Sequence, residues 1–277
     1  MGGSLSLAVS RSFPGVKRVG YAHRASTKAK ASELAVADEI FDDLKKSVAG
    51  SDMVFLATPI FTFEEMFVGI AGALEPGCIV TDVGSTKAMV HRWAKKRLPK
   101  GVHYVGSHPI AGSEQRGVEF SRDDLFEGAI CIVTTDRGTD AGAVETVKEF
   151  WSRLGCFVQM MKPAEHDRIF GHVSHVPHAT AAALMNASDF KELKFAGRGF
   201  IDTSRIASGP ANIWSDILLS NARNVARGID GVIRELSKLK KAIEAGDEEG
   251  VRKLLDAARS KRNVLIEYKI RKKEIIP

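Results

Sequence analysis

The first half of the chain alternates short apolar runs with longer amphipathic ones, and this alternation restricts the fold more than any other feature. The apolar runs are rich in β-branched residues and read "VKRVGYAH", "DMVFLATP", "GCIVTDV", "VHYVGSH", "GAICIVTT" and "CFVQMM". Strands that alternate with helices form βαβ units around a mostly parallel sheet. The runs lack polar alternation, as expected when helices cover both faces of the sheet. The pattern therefore predicts an α/β domain.

After Lys162 the pattern predicts helices only. Pro163 suits a first helical turn, and Pro177 should kink a helix or end a segment. The apolar positions of a later helix recur at spacings that alternate between four and three, and they are Val225, Ile229, Val232, Leu236, Leu239 and Ile243. Such a seam packs on partner helices, in the same chain or in a second copy. A further helix is expected from Glu249 to about Tyr268. We place the domain boundary at residue 162, with an α/β domain over 1–162 and an all-α domain over 163–277.

Composition and charge disfavour several classes of protein. No apolar run is long enough to cross a membrane, so we expect no membrane partner, and no signal peptide is visible. The 3 cysteines form no CxxC pair, which fits a reducing cytoplasm and disfavours zinc and disulfide frameworks, so we expect a cytoplasmic protein. The net charge of +6 is spread along the chain, and the tail "YKIRKKE" is better read as a solvated helix end than as a nucleic-acid site. A cationic fold suits small acidic substrates.

The N-terminal segment "MGGSLSLAVSRS" is similar to the end of a glycine-rich phosphate turn and the helix that follows it. In a Rossmann-like unit that turn places the pyrophosphate of a dinucleotide at the helix N-terminus. Gly2 and Gly3 are therefore candidates for cofactor binding. The strand and the leading glycines that precede such a turn are missing from the sequence, which puts cofactor affinity in doubt.

The run "VKRVGYAH" would be the second strand of such a unit, and it ends about 20 residues after these glycines. In a Rossmann-like unit the ribose of the adenosine is bound at this position. No carboxylate is found there, whereas Arg24 and Ser26 could hold a 2′-phosphate, so NADP is favoured over NAD. Ordinary solvated charges on a loop are the alternative. Thr58 and Pro59, at the end of the next apolar run, are further candidates for cofactor binding.

Two predicted strand ends carry polar side chains that would meet at one edge of the sheet. In "TDVGSTKA" a buried strand is followed by Gly84 and Ser85, which either cap the next helix or face a ligand, the cofactor included. In "YVGSHPIAGSE" His108 holds the corresponding position. Imidazole is the side chain best matched to proton transfer near neutral pH, although most isolated histidines are structural. Ser113 and Glu114 fit a loop that closes around a ligand.

The helical half contains a histidine-rich segment, "EHDRIFGHVSHVPHATA". His172, His175 and His178 are spaced three apart and do not converge on one point of a helix, so we expect no metal. We expect Ser174 and His178 to face a ligand and the other two histidines to pack or cap.

A glycine-flanked segment, "GFIDTSRIASGPANIW", places Arg205 among small and apolar residues. Its guanidinium needs an anionic partner if it is buried. Either Asp202 is that partner, or the guanidinium holds a substrate carboxylate through two hydrogen bonds.

The motifs "DVGSTK", "SHPIAGSE", "VSHVPHA" and "DTSRIASG..NIW", in this order, resemble the prephenate/arogenate dehydrogenase family of tyrosine biosynthesis. The resemblance runs from Gly2 to about residue 245. It implies an N-terminal nucleotide-binding domain and a C-terminal helical domain that forms a homodimer.

The resemblance also implies a reaction: prephenate loses hydride to NAD(P)+ and loses CO₂, giving 4-hydroxyphenylpyruvate. His108 would accept the hydrogen bond of the ring hydroxyl, Ser85 would orient that pair, and Arg205 would bind the ring carboxylate of this dicarboxylate substrate. The other positions that match the substrate pocket are Ser174, His178, Ser113 and Glu114, with Asp202 steadying the arginine.

Three alternatives accompany this interpretation. Arogenate, which differs from prephenate only in its side chain, could be the substrate. A hydroxyacid or 6-phosphogluconate-like dehydrogenase is disfavoured, because no catalytic lysine is found in the helical half. The chain could also be a catalytically impaired helical dimer with a degenerate nucleotide domain. The sequence ends soon after the helical domain, so we expect no appended regulatory domain.

Overall fold

The computed structural model describes residues 1–112 and 117–272 of the chain. These residues form two compact units, Met1–Val225 and Ala226–Pro277. The predicted domain boundary at residue 162 lies inside the first unit, because the helices after it pack on the α/β part. That boundary therefore stays a prediction.

Among the described residues of the first unit, eight strands form three small sheets. They are β1 Val19–Tyr21, β2 Glu39–Phe41, β3 Met53–Leu56, β4 Ile79–Asp82, β5 His103–Tyr104, β6 Gly106–Pro109, β7 Ile130–Thr134 and β8 Phe157–Met161. Strands β1 and β2 pair in parallel, as do β3, β4 and β5 in that order. In the third sheet β7 pairs in parallel with β8 and antiparallel with β6. The predicted Rossmann-like, mostly parallel α/β architecture is confirmed.

The run "VHYVGSH", predicted as one strand, is in fact two strands in different sheets. Val105 still donates its N–H to the carbonyl of Val80 at 3.1 Å, and the chain then leaves β4 at Gly106. A Cβ at Gly106 would lie 2.9 Å from Nε2 of His91, so only glycine allows this close approach. The break matters for the site because it sends β6, with His108, along a different sheet from β5.

Six helices belong to the α/β part. They are α1 Gly2–Ser12, α2 Ala25–Glu33, α3 Leu44–Val48, α4 Phe63–Ile70, α5 Ala88–Arg97 and α6 Ala141–Arg153. Their apolar faces close two buried clusters, one around Phe63, Phe67 and Val80 and the other around Trp151 and Val133. Short 3-10 turns lie at Ile60–Thr62, Ala71–Ala73 and Val118–Phe120. The three cysteines are free and buried, as small apolar side chains are.

The chain after Lys162 is helical, as predicted. Its elements are α7 Pro163–Phe170, a π-helical turn Gly171–His175, α8 Val176–Asn186, α9 Phe190–Leu193, α10 Arg198–Ser204, a 3-10 turn Arg205–Ser208, α11 Ala211–Ser220, α12 Ala222–Glu244 and α13 Glu248–Arg271. Pro163 lies in the first turn of α7, where a missing N–H costs no hydrogen bond, and Pro177 lies in the first turn of α8, directly after the π-helical turn. The interruption expected at Pro177 is the π-helical turn just before it.

The second unit consists of most of α12 together with α13. The predicted second helix is confirmed, and it begins where the side chain of Asp247 accepts a hydrogen bond from the N–H of Gly250 at 2.9 Å. Leu236 and Ile243 of the predicted seam are 59% and 60% exposed. Among the described helices, none combines the length and the apolar character that a membrane span needs.

Candidate functional site

The N-terminus of α1 lies beside the end of β3. A Cβ at Gly2 would approach the Cβ of Ala57 to 3.3 Å, and one at Gly3 would collide with the hydroxyl of Ser121. The first turn of α1 contains no acidic residue and receives no side-chain cap. Its N–H groups and the partial positive charge of the helix end are therefore available to an anion. This glycine-lined helix end fits the pyrophosphate of a dinucleotide.

The other predicted cofactor residues lie at the ends of β1 and β3. Thr58 and Pro59 follow β3 and are exposed, and the hydroxyl of Thr58 is 2.7 Å from that of Thr62. Arg24 precedes α2 and Ser26 lies in its first turn, and both are exposed. Because Gly2 touches Ala57, the structure brings the start of α1 and Thr58 together.

Gly84 and Ser85 form a tight loop after β4. The N–H of Gly84 donates to Oδ1 of Asp82 at 2.7 Å, and a Cβ at Gly84 would lie 3.2 Å from the ring of Phe63. Glycine is therefore required here by close packing. Ser85 is half-buried, and within the described residues its hydroxyl has no protein partner. That hydroxyl is free to meet a ligand.

A buried ion pair that the sequence analysis missed fixes this loop against β6. Lys87 is wholly buried, its Nζ pairs with Asp82, and it also donates to the carbonyl of Ser107 at 2.7 Å. The hydroxyl of Tyr104 donates to the other carboxylate oxygen of Asp82 at 2.5 Å. Buried charges are tolerated when they are paired and hydrogen-bonded in this way. The Lys87 contacts hold the Ser85 loop beside the strand that carries His108.

His108 lies on β6 with its ring against α7. Its Nδ1 is 2.8 Å from Nε2 of His166, and its ring centroid is 5.0 Å from that of Phe170. Burial lowers the pKa of His108 well below its ordinary value, and the positive charge of Lys87 lowers it further. The ring is therefore neutral at physiological pH, as a proton acceptor must be.

His166 and Asp167 are the principal residues that the sequence analysis missed at this site. Nδ1 of His166 is 2.9 Å from Oδ1 of Asp167, and both residues are buried at the start of α7. Burial lowers the pKa of His166. The one available signal was an adjacent His-Asp pair soon after Pro163, which signals the start of a helix. The spacing of three that relates His172, His175 and His178 does not include this pair.

The π-helical turn holds the next predicted residues. Ser174 is half-buried, whereas His172 is exposed. His175 is buried, with its Nδ1 3.1 Å from the amide nitrogen of Asn221, and its Nε2 has no protein partner among the described residues. Burial lowers the pKa of His175 to about 4. Among the residues that the structure describes, no three His, Cys, Asp or Glu side chains come together as a metal site would require.

His178 stacks on Trp214, with ring centroids 3.5 Å apart and an interplanar angle of 7°. A Cβ at Gly209 would lie 2.7 Å from Cδ1 of Trp214 and 2.9 Å from Cε1 of His178. The turn Arg205–Ser208 is therefore held close to this pair of rings.

Arg205 opens that 3-10 turn and Asp202 precedes it on α10, and both are exposed. Arg205 is therefore not buried among the small and apolar residues near it in sequence. Its guanidinium stays in contact with solvent, so it does not need an ion pair to offset desolvation. Ser113 and Glu114 lie outside the described residues, so their predicted place in the pocket stays a prediction.

The described residues thus combine an anion-binding helix end, a free serine hydroxyl and a neutral imidazole. This set suits the removal of a hydroxyl proton beside a bound dinucleotide.

The chain matches a family model for the nucleotide-binding domain of prephenate dehydrogenase over residues 5–160, and one for its dimerization domain over residues 162–257. A prephenate dehydrogenase of Bacillus subtilis (strain 168) is 34% identical over 284 residues, which cover 100% of this chain and 76% of the relative. A cyclohexadienyl dehydrogenase of Zymomonas mobilis is 29% identical, with 89% and 86% covered.

Solved structures agree with these matches. The crystal structure of prephenate dehydrogenase from Aquifex aeolicus in complex with hydroxyphenyl propionate and NAD+ has a TM-score of 0.88 and 35% identity, covering 96% of this chain and 94% of that one. The arogenate dehydrogenase of Synechocystis has a TM-score of 0.80 and 26% identity, with 95% of each chain covered.

Proposed function

The chain belongs to the prephenate dehydrogenase family, and we propose that it catalyses the oxidative decarboxylation of prephenate to 4-hydroxyphenylpyruvate in tyrosine biosynthesis. It is an oxidoreductase with a nucleotide-binding α/β domain and a helical domain. When bound, a nicotinamide dinucleotide supplies the hydride acceptor. The protein supplies binding, orientation and a place for the hydroxyl proton.

The single observation that carries the proposal is the neutral imidazole of His108 on β6. As hydride leaves the carbon that bears the ring hydroxyl, the hydroxyl proton must move to a base. His108 is uncharged at neutral pH and lies beside the Ser85 loop, so it can accept this proton while Ser85 orients the pair. Loss of the substrate carboxylate as CO₂ then yields the aromatic ring.

The remaining site residues would bind the cofactor or the substrate. Gly2 and Gly3 would hold the pyrophosphate at the N-terminus of α1, and Gly84 would give the cofactor close access after β4. Arg205 would hold the ring carboxylate, because a guanidinium matches a carboxylate through two hydrogen bonds. Thr58 and Pro59 would contact the cofactor, and Ser174 and His178 would line the substrate pocket. Asp202 would hold Arg205 in position.

We further propose that NADP is the preferred cofactor. The support is the exposed Arg24 at the start of α2, with Ser26 in the first turn and no carboxylate at the end of β1. A guanidinium near a helix N-terminus attracts a 2′-phosphate. The relative from Aquifex aeolicus was solved with NAD+, so NAD is the competing choice.

We also propose that the protein forms a homodimer through its C-terminal helices. The match to a dimerization domain supports this, as do apolar side chains on α12 and α13 that are more than half exposed in the single chain, namely Ile233, Leu236, Ile243, Leu255, Val264 and Leu265. The matches to the two family models meet near residue 161, which supports functional domains at 1–162 and 163–277.

A direct assay tests the reaction. The purified protein is mixed with prephenate or with arogenate and with NAD+ or NADP+, and both the reduced nicotinamide and the aromatic product are measured. We expect turnover of prephenate with formation of 4-hydroxyphenylpyruvate. Turnover of arogenate alone would make the chain an arogenate dehydrogenase. A folded protein that binds neither cofactor would instead be the impaired dimer.

A further inference from the structure

The imidazole of His108 has two nitrogens, and a neutral ring carries a proton on only one of them. A ring can take a substrate proton only on the nitrogen that is bare. Nδ1 of His108 is engaged by Nε2 of His166 at 2.8 Å, which leaves Nε2 of His108 for the substrate. The reaction therefore requires that Nδ1 carry the ring proton.

Asp167 decides where the protons of this chain of hydrogen bonds lie. Its carboxylate accepts from the backbone N–H of Lys87 at 2.7 Å and of Ala88 at 2.9 Å, and it faces Nδ1 of His166 at 2.9 Å. Burial alone would raise the pKa of Asp167, but the hydrogen bonds from His166 and the two backbone groups lower it overall. An ionised carboxylate can only accept, so Nδ1 of His166 must be the donor.

The position of the proton on His166 determines the position of the proton on His108. His166 is neutral, because burial lowers its pKa, and its single ring proton lies on Nδ1. Nε2 of His166 is then a lone pair, and Nδ1 of His108 must donate to it. The opposite arrangement would set a lone pair of His166 against a carboxylate oxygen at 2.9 Å, which is repulsive.

We propose that His166 and Asp167 are positioning residues that hold His108 in the tautomer whose Nε2 is free to take the hydroxyl proton. This inference rests on the proposed function of His108. When that proton reaches Nε2, the imidazolium that forms is stabilised through two hydrogen bonds by the charge of Asp167. The same carboxylate binds the N–H groups of Lys87 and Ala88, two and three residues after Ser85, so one group sets the position of the serine loop and of the base.

The competing explanation is that Asp167 only caps α5. Nitrogen-15 NMR of the histidine-labelled full-length protein separates the two, because protonated and bare ring nitrogens give distinct signals. The His108 signals are assigned by their loss in His108→Gln. We expect a proton on Nδ1 and a bare Nε2 in the parent protein. A proton on Nε2 would overturn the inference, whatever substrate the protein uses.

Asp167→Asn supplies a second test. An amide nitrogen at the place of Oδ1 would meet the N–H of Lys87, and one at the place of Oδ2 would meet the N–H of Ala88. Either orientation removes the negative charge that orders the ring protons and stabilises the imidazolium, so we expect a fall in kcat of roughly 10²–10⁴ at nearly constant KM. The matched control is Asp140→Asn, because Asp140 caps α6 in the same way, by accepting from Ala143 at 2.8 Å. Equal effects of the two changes on kcat would support capping alone.

A pair of substitutions at His166 keeps the test valid if Asp167→Asn does not fold. The amide oxygen of His166→Gln can still accept from Nδ1 of His108, whereas His166→Leu offers no acceptor. We expect His166→Gln to retain about tenfold more kcat than His166→Leu, with Nδ1 of His108 still protonated. Equal kcat values for the two variants, with equally intact circular dichroism spectra, would contradict a positioning role.

Discussion

At the scale of single residues, the chemistry of the site depends on how His108 is buried. An imidazole at an exposed strand end would be partly charged near its ordinary pKa of 6.5, but burial and the positive charge of Lys87 lower the pKa of His108. The surroundings of His108 on β6 therefore favour the neutral ring that the proposed base requires.

The lowered pKa of His108 has a direct consequence for the pH dependence of turnover. In the proposed mechanism the neutral ring is the active form, so activity should be lost only as pH falls through the pKa of His108, which lies below 6.5. We expect kcat to stay constant from pH 8 down past pH 6.5 and to fall at lower pH. Steady-state kinetics at saturating substrate measure this. An acid limb centred at or above pH 6.5 would argue against a buried, neutral base.

The sequence was informative about residues that follow strands and uninformative about their partners. The apolar runs predict that Ser85 and His108 lie at or near strand ends, and Ser85 does follow β4, whereas His108 lies within β6, an antiparallel strand of another sheet. Their catalytic roles stay predictions. Lys87 was not predicted, because a lysine in a polar loop looks solvated until Asp82 and Ser107 are seen around it. His166 contacts a ring 58 positions earlier, and no spacing rule reports such a pair.

At the scale of elements, the strands and helices with clear periodicity were predicted and the short ones were not. β2 and α3 contain 3 and 5 residues, too few to show a period. The π-helical turn was foreseen only as an interruption near Pro177. The first residue of this turn is Gly171, and a Cβ at that position would lie 3.1 Å from the Cβ of Asn224 on α12. The widened turn therefore begins where α12 packs closely against it.

Arg24, at the start of α2, is the residue through which the preference for NADP+ over NAD+ can be tested. Because we propose that Arg24 binds the 2′-phosphate of NADP+, Arg24→Ala should raise KM for NADP+ about tenfold and leave KM for NAD+ nearly unchanged. Lys30→Ala, in the last turn of the same helix, is the matched control for lost charge. Initial rates with both cofactors measure the ratio. A parent protein that uses NAD+ and NADP+ equally would show that the end of β1 does not select between them.

At the scale of the whole molecule, the α/β architecture and the helical second half could be predicted because hydrophobic periodicity changes sharply near Lys162. The division into compact units could not. α7 packs on α5 and β7, and α11 packs on the turn Ile60–Thr62, so both belong with the α/β part, whereas the chain from Ala226 onward forms a separate unit. Periodicity identifies elements, but it does not tell which elements share a core.

The exposed apolar face of α12 gives the prediction about assembly. Placing charges in a dimer interface buries them without partners, so the double substitution Leu236→Glu with Ile243→Glu should produce monomers. Lys241→Glu, on the same helix at an exposed polar position, is the control for added negative charge. Sedimentation equilibrium measures the mass. A double variant that stays dimeric would place the interface elsewhere.

The turnover of His108→Asn tests most directly the claim that this imidazole takes the hydroxyl proton. Asparagine keeps the polarity and approximate size of the side chain but cannot accept a proton at neutral pH. With prephenate and the preferred cofactor, we predict a fall in kcat of roughly 10²–10⁴ with KM changed only a few-fold, and no comparable effect from His172→Asn, whose parent side chain is exposed. Activity of the folded His108→Asn protein within a few-fold of the parent would contradict the account.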